Sequence, residues 1–211
     1  SYGTVLLWPF TSTRYAFDVI SIVDPLLTLP LVIGVWATCF FDNRAFVLAG
    51  IIAAGLFLGF NSLQHQRALS AVDAYAEEKH WPIKKLRAFP QLASSTNWRA
   101  VFYKKNHIVL AQVATPLTAK SLVYNIARFK RFQRKQLPDY VADTGLQLRD
   151  YKIFDWFADG YLIMTSRQPL VLADARYVMG DKPLTALWGI QFRPGKVHVN
   201  NLRSIPLHRQ Q

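Results

Sequence analysis

Two carboxylates stand at the entry to a long apolar stretch: Asp24, directly before Pro25, and Asp18, six residues earlier. A carboxylate at the mouth of a membrane span is costly unless it meets water, a cation or a metal ion. Two such groups that converge could share one divalent cation, and with imidazole ligands such a site activates water for hydrolysis. Asp24 has a second reading. Proline fits the first turn of a helix, so the residue before it is a natural N-cap. The two roles are compatible, and both stay open.

The remaining chemistry-bearing residues are more scattered. The five histidines, His65, His80, His107, His198 and His208, fall in separate elements without zinc-binding spacing. His65 follows the second apolar stretch closely, so it either faces a membrane-edge site or is an interfacial polar residue. Asp174 and Arg176 alternate along a strand, which puts them on one face. They read as a surface ion pair or as part of a ligand pocket beside Trp156 and Tyr161. The segment Lys120–Lys135 places Lys130, Arg131, Arg134 and Lys135 among Phe129 and Phe132. As a helix it would be basic and amphipathic, suited to anionic lipid headgroups. As strand and loop it is a basic edge near the membrane, and such charge reads first as a solvated surface, then as a lipid contact and last as a nucleic-acid one. No glycine-rich nucleotide loop or nucleophile elbow is present, and the single cysteine, Cys39, excludes an internal disulfide.

The elements that must position these residues follow from hydropathy. Of 211 residues 51% are hydrophobic, yet only Asp24, Asp42 and Arg44 are charged between Ile20 and Leu63. Beyond Leu63 lie 23 of the 25 Lys and Arg residues, against 10 of the 13 acidic ones. An apolar third joined to a basic two-thirds reads as a membrane anchor bearing a water-exposed domain. Ile20–Phe41 and Ala45–Leu63 each reach the roughly 20 residues that cross a bilayer, and Asp42-Asn43-Arg44 is a tight turn between them. Gly55 and Gly59, with Gly50 and Ala54, offer small-residue positions for helix contact. Arg67, Lys79, Lys84, Lys85 and Arg87 follow the second span, so the C-terminal domain is expected on the cytoplasmic side.

Past the spans, a helix continues to about Glu78, and His80-Trp81-Pro82 ends it. Arg99–Lys104 and His107–Val113 flank Lys105-Asn106 as a hairpin. Asp139–Phe157 has helical spacing, Tyr161–Thr165 and Leu170–Ala173 form a second hairpin, and Leu187–Arg193 and Val197–Ile205 are further strands. The expected fold is a membrane α-helical hairpin followed by a soluble α+β domain with a mainly antiparallel sheet. Its parts are a pre-membrane segment (1–19), two transmembrane helices (20–63), a helix and linker (64–96) and a cytoplasmic domain (97–211).

The opening cluster carries a resemblance. Ser1-Tyr2-Gly3-Thr4, Leu6-Leu7-Trp8-Pro9-Phe10, Arg14, Asp18 and Val23-Asp24-Pro25-Leu26 with Thr28 and Pro30 resemble bacterial membrane-bound metal-dependent hydrolases of the inner membrane. Looser likeness continues through Asn97-Trp98-Arg99, Trp156–Gly160 and Ala173–Tyr177. The resemblance implies a multi-pass inner-membrane protein with a divalent metal ion as cofactor. It implies metal and catalytic roles for Asp24 and Asp18 with Arg14, and substrate contact by Tyr2, Asp174 and Arg176. It also places most ligands in motifs ahead of Ser1, so the chain is expected to continue a longer one and to be inactive alone. The competing expectation is a non-catalytic, membrane-tethered module whose basic domain docks on anionic lipid, nucleic acid or a protein partner.

Overall fold

A computed structural model describes residues 3–21, 23–141, 145–180 and 183–207. The N-terminal part is helical, and a C-terminal part is built of antiparallel sheet. Helix α1 (Pro25–Phe41) starts where its sequence stops resisting: Asp24 is extended and its carboxylate accepts from the Leu26 N–H at 3.1 Å, with Pro25 in the first turn. The helix is therefore 17 residues long, about 25 Å, and shorter than the Ile20–Phe41 stretch expected. It ends at Asp42 in the left-handed conformation, and Asn43 Oδ1 then accepts from the Ala45 N–H.

Helix α2 (Ala45–Glu78) runs for 34 residues, about 51 Å. By length and composition it can cross a membrane. Helices α1 and α2 pack closely where glycines permit it: a Cβ on Gly50 would lie 2.7 Å from the Pro30 carbonyl oxygen, and one on Gly34 2.8 Å from that of Phe46. The Thr38 hydroxyl donates to the Gly34 carbonyl and accepts from the Val47 N–H, tying the helices together. Gly55 and Gly59, expected as a contact pair, face open space instead. Away from the contact the surface is apolar, with Val32, Ile33, Trp36, Ile51, Ile52 and Leu56 all more than half exposed. After Leu63 the helix changes character. Gln64, Ala68, Val72 and Ala76 recur every fourth residue and are all buried, forming a stripe along one face.

The sheet strands β1 (Ile83–Pro90), β2 (Asn97–Lys104), β3 (His107–Ala114) and β4 (Leu122–Lys130) lie in sequence order. Strand β1 occupies a stretch that the hydropathy pattern read as linker. The Lys105-Asn106 turn is as expected, and Lys120–Lys135 resolves into strand and loop rather than helix. Strands β5 (Leu162–Arg167), β6 (Leu170–Asp174), β7 (Val178–Met179), β8 (Leu184–Gln191) and β9 (Asn200–Leu207) form a second antiparallel sheet, ordered β5-β6-β8-β7 with β9 also on β8. Helix α3 (Leu146–Phe157) begins later than the expected Asp139 and buries Leu148 and Tyr151 with Phe132, Leu162, Leu172, Ile190 and Phe192.

Two compact units result, one from 1–81, 86–100 and 112–124, the other from 82–85, 101–111 and 125–211. The boundary expected at residue 97 falls inside the first of these.

Candidate functional site

The first unit gathers buried polar side chains where α2 leaves its apolar stretch. Asp18, with a left-handed backbone (φ 53°), is 6% exposed. Its carboxylate is gripped by Arg87 of β1, from Nε to Oδ2 and from Nη2 to Oδ1, each at 2.8 Å. Two parallel charge-assisted bonds of this kind hold a carboxylate firmly in one orientation. The segment after Asp18 is pinned as well, because Asn61 Nδ2 donates to the Val19 carbonyl at 3.1 Å. That bond fixes the amide's orientation and turns Oδ1 the other way. Asn61 is fully buried, and its Oδ1 accepts from no described residue.

One helical turn on, His65 packs its ring against Trp98 of β2, centroids 5.4 Å apart. Its Nε2 is also buried and meets no donor among the described residues. The ring is hydrogen-bonded to the backbone of Ala88, which leaves Nδ1 as the donating nitrogen and Nε2 as a bare acceptor. Burial pulls the imidazole below its ordinary value of 6.5, against the opposing pull of the Asp18 carboxylate, while Arg87 acts with burial. These two acceptors lie four residues apart along α2, and neither meets a donor among the described residues.

Around this pair the scaffold is polar and saturated. Gln64 Nε2 donates to the Thr115 carbonyl, Trp98 Nε1 to the Thr115 hydroxyl, and Arg67 to Gln64 Oε1. None of Arg87, Trp98, Asn61 or Gln64 was singled out from sequence for this role. The one available signal was a buried acid needing a cation, and 69 residues separate Asp18 from the one it has.

The expected metal shell is not what these residues build. Asp18 has both oxygens engaged by Arg87, and Asp24, 5% exposed, caps α1. Among the described residues no three His, Cys, Asp or Glu side chains gather as a metal-ligating group. Arg14 belongs to the segment bridged antiparallel from Thr4 to Tyr15, its Cβ close to where one on Gly3 would lie. Tyr2 lies outside the described residues.

The second unit sorts the other expected residues. Asp174 and Arg176 are fully buried rather than a surface pair. Arg176 Nη2 reaches Asp174 Oδ2 at 2.7 Å and the Phe157 carbonyl, while the Arg176 N–H closes a turn onto Asp174 Oδ1. Arg176 itself sits in the turn after β6, not on the strand. Tyr161 is also buried and its hydroxyl donates to the Lys85 carbonyl, whereas Trp156 is 61% exposed. Phe129 and Phe132 of the basic stretch are buried, which removes the aromatic platform that nucleic-acid bases would stack on. Lys130, Arg134 and Lys135 are exposed, while Arg131 lies over the Tyr103 ring at 4.6 Å. Nearby, Lys85 Nζ holds Asp159 at 2.9 Å, burial raises the Asp155 carboxyl above its usual range, and burial pushes the Tyr103 hydroxyl up to about 12.

Comparison of the chain with known protein families, curated proteins and solved structures finds no match to any of them.

Proposed function

We propose that the chain is a membrane-embedded hydrolase component, with α1 and α2 as a transmembrane hairpin and the His65–Asn61 pair as its water-handling site at the membrane face. The supporting observation is the pair of buried acceptors, Asn61 Oδ1 and His65 Nε2, beside a carboxylate locked by arginine. In this reading one water donates to both. His65 Nε2 takes its proton as the oxygen attacks a substrate carbonyl or phosphorus centre, and the resulting imidazolium returns that proton to the leaving group. An imidazole kept neutral by burial is in the right state to begin. Asp18 and Arg87 act as positioning residues, holding the strand that carries Ala88. The divalent ion implied by the resemblance has no ligand set among these side chains, and the step does not use one.

The test is hydrolysis of p-nitrophenyl esters and phosphates by membranes bearing the whole protein, compared with its His65→Ala and His65→Gln variants. The reading expects turnover above control membranes that falls at least about a hundredfold in both variants, the usual scale of a general base. Turnover unaffected by either substitution, or absent throughout, overturns it.

A second reading rests on β4. Ala127 and Phe129 are buried while Arg128 and Lys130 are exposed, so this edge strand turns its cations outward. That favours a membrane-tethered docking module, and Lys130→Glu with Arg134→Glu would then abolish cosedimentation with anionic vesicles while leaving hydrolysis untouched.

A further inference from the structure

The loop after β3 lies where α2 emerges from its apolar stretch, and its composition does not suit open water. Arg67 donates from Nη2 to the Pro116 carbonyl at 2.7 Å and to that of Ala119 at 3.1 Å, and Gln64 Nε2 reaches the Thr115 carbonyl at 3.1 Å. These bonds fasten residues 115–119 to α2 within one turn of Leu63, about 6 Å along the helix axis. A headgroup layer is about 5–8 Å deep on each side of the hydrocarbon. There the loop exposes Leu117 (68%) and Lys120, and Leu122, the first residue of β4, is exposed as well (62%). The same residues wall a groove of about 980 Å³ along α2 from Gln66 to Glu78. The charges facing it are Arg67, Lys120 and Glu78. The Glu78 carboxylate is 2.7 Å from Lys79, whereas the hydrogen-bond acceptors of Arg67 are all uncharged, so the groove's own balance is positive.

We infer that the Pro116–Leu122 segment is an interfacial anchor seated in an anionic bilayer, with Leu117 and Leu122 entering the headgroup–acyl boundary and Lys120 and Arg67 meeting the lipid phosphates. Continuity with the apolar part of α2 selects the occupant: a surface held this close to a membrane span has the bilayer itself as its neighbour. The inference rests on α2 crossing the membrane, and the experiment separates the two.

The full chain carrying Cys39→Ser would be spin-labelled at Leu117→Cys in vesicles of phosphatidylcholine and phosphatidylglycerol. Leu56→Cys and Val197→Cys serve as references, and accessibility to oxygen and to a water-soluble nickel chelate is read by power saturation. Position 117 is expected to be several-fold less accessible to nickel than position 197, and to lose that protection in Lys120→Glu. Position 117 as accessible as 197, with position 56 protected, overturns the anchor and leaves the membrane span standing. Nickel access at position 56 equal to that at 197 overturns both. Protection at 117 that Lys120→Glu leaves intact overturns the phosphate contact, and with it the anionic bilayer as partner.

Discussion

Two buried carboxylate–guanidinium pairs among the described residues are built in opposite ways. Asp174 and Arg176 are two residues apart, both side chains are fully buried, and the arginine also caps the end of α3 through the Phe157 carbonyl. Asp18 and Arg87 are 69 residues apart, with the arginine side chain 17% exposed, and they join a segment ahead of α1 to a strand beyond α2. The local pair costs little chain entropy to assemble and braces a corner. The remote pair forms only once the fold is complete, and it sits beside a histidine whose imidazole burial holds below its ordinary value. A short-range pair is thus suited to stability, and a long-range pair to coupling the fold to a site.

Removing one member of the local pair is the harshest test of that contrast. Asp174→Ala strands a guanidinium that is 2% exposed, and a loss of about 3–5 kcal/mol is expected, read as a large fall in melting temperature by near-ultraviolet circular dichroism in detergent. Replacing both partners by apolar residues of similar size should restore much of it. Arg87→Met strands the Asp18 carboxylate, itself 6% exposed, and is expected to cost about 3 kcal/mol, the lower end of the same range. Its sharper signature is electrostatic. Arg87 holds the His65 value down and Asp18 holds it up, so Arg87→Met should raise the midpoint of His65 in an NMR titration and Asp18→Asn should lower it. A midpoint that neither variant moves would break the assignment of Asp18 and Arg87 as positioning residues.

The same contrast explains what the sequence shows and what it hides. Asp24 before Pro25 is legible as a cap because capping is a local bargain between neighbours, and the structure keeps it. The Lys105-Asn106 turn is legible for the same reason. The α1–α2 contact is less so: small residues at Gly55 and Gly59 have the right spacing, but Gly34 and Gly50 are the positions at which backbones meet. Spacing alone does not say which face of a uniformly apolar helix is covered. Strand β1 was hidden because its Lys84, Lys85 and Arg87 resemble a basic linker, and nothing local announces that Arg87 answers Asp18. Asn61 and His65 look like ordinary interfacial residues until Val19 and Ala88 have taken their other polar atoms.

His65 also gives the first unit a pH dependence. Its folded-state value lies below 6.5 because burial disfavours the imidazolium. The contribution to stability is therefore complete above the unfolded value and is lost as pH falls through the lower, folded one. Thermal unfolding should begin to ease below about pH 6.5, and His65→Gln should flatten that part of the profile. An unchanged profile would assign the acid sensitivity elsewhere.

The smallest effect expected belongs to the second unit. Arg176, although locked to Asp174, also acts on Tyr103, where it opposes the burial that pushes the phenol up to about 12. Tyr103 therefore ionises far above neutral pH. Tyr151, raised by burial to about 12 as well, behaves similarly. For both phenols the folded value lies above the unfolded one of 10.0, so their contribution is fully present below pH 10 and is lost as pH rises through about 12. An absorbance titration at alkaline pH should show two late-ionising tyrosines, and Tyr103→Phe should remove one step while leaving hydrolysis and neutral-pH stability nearly unchanged. If Tyr103 ionised with the exposed tyrosines, the second unit would be open around it. The division between a sealed brace and a titrating site would then fail on the brace's side.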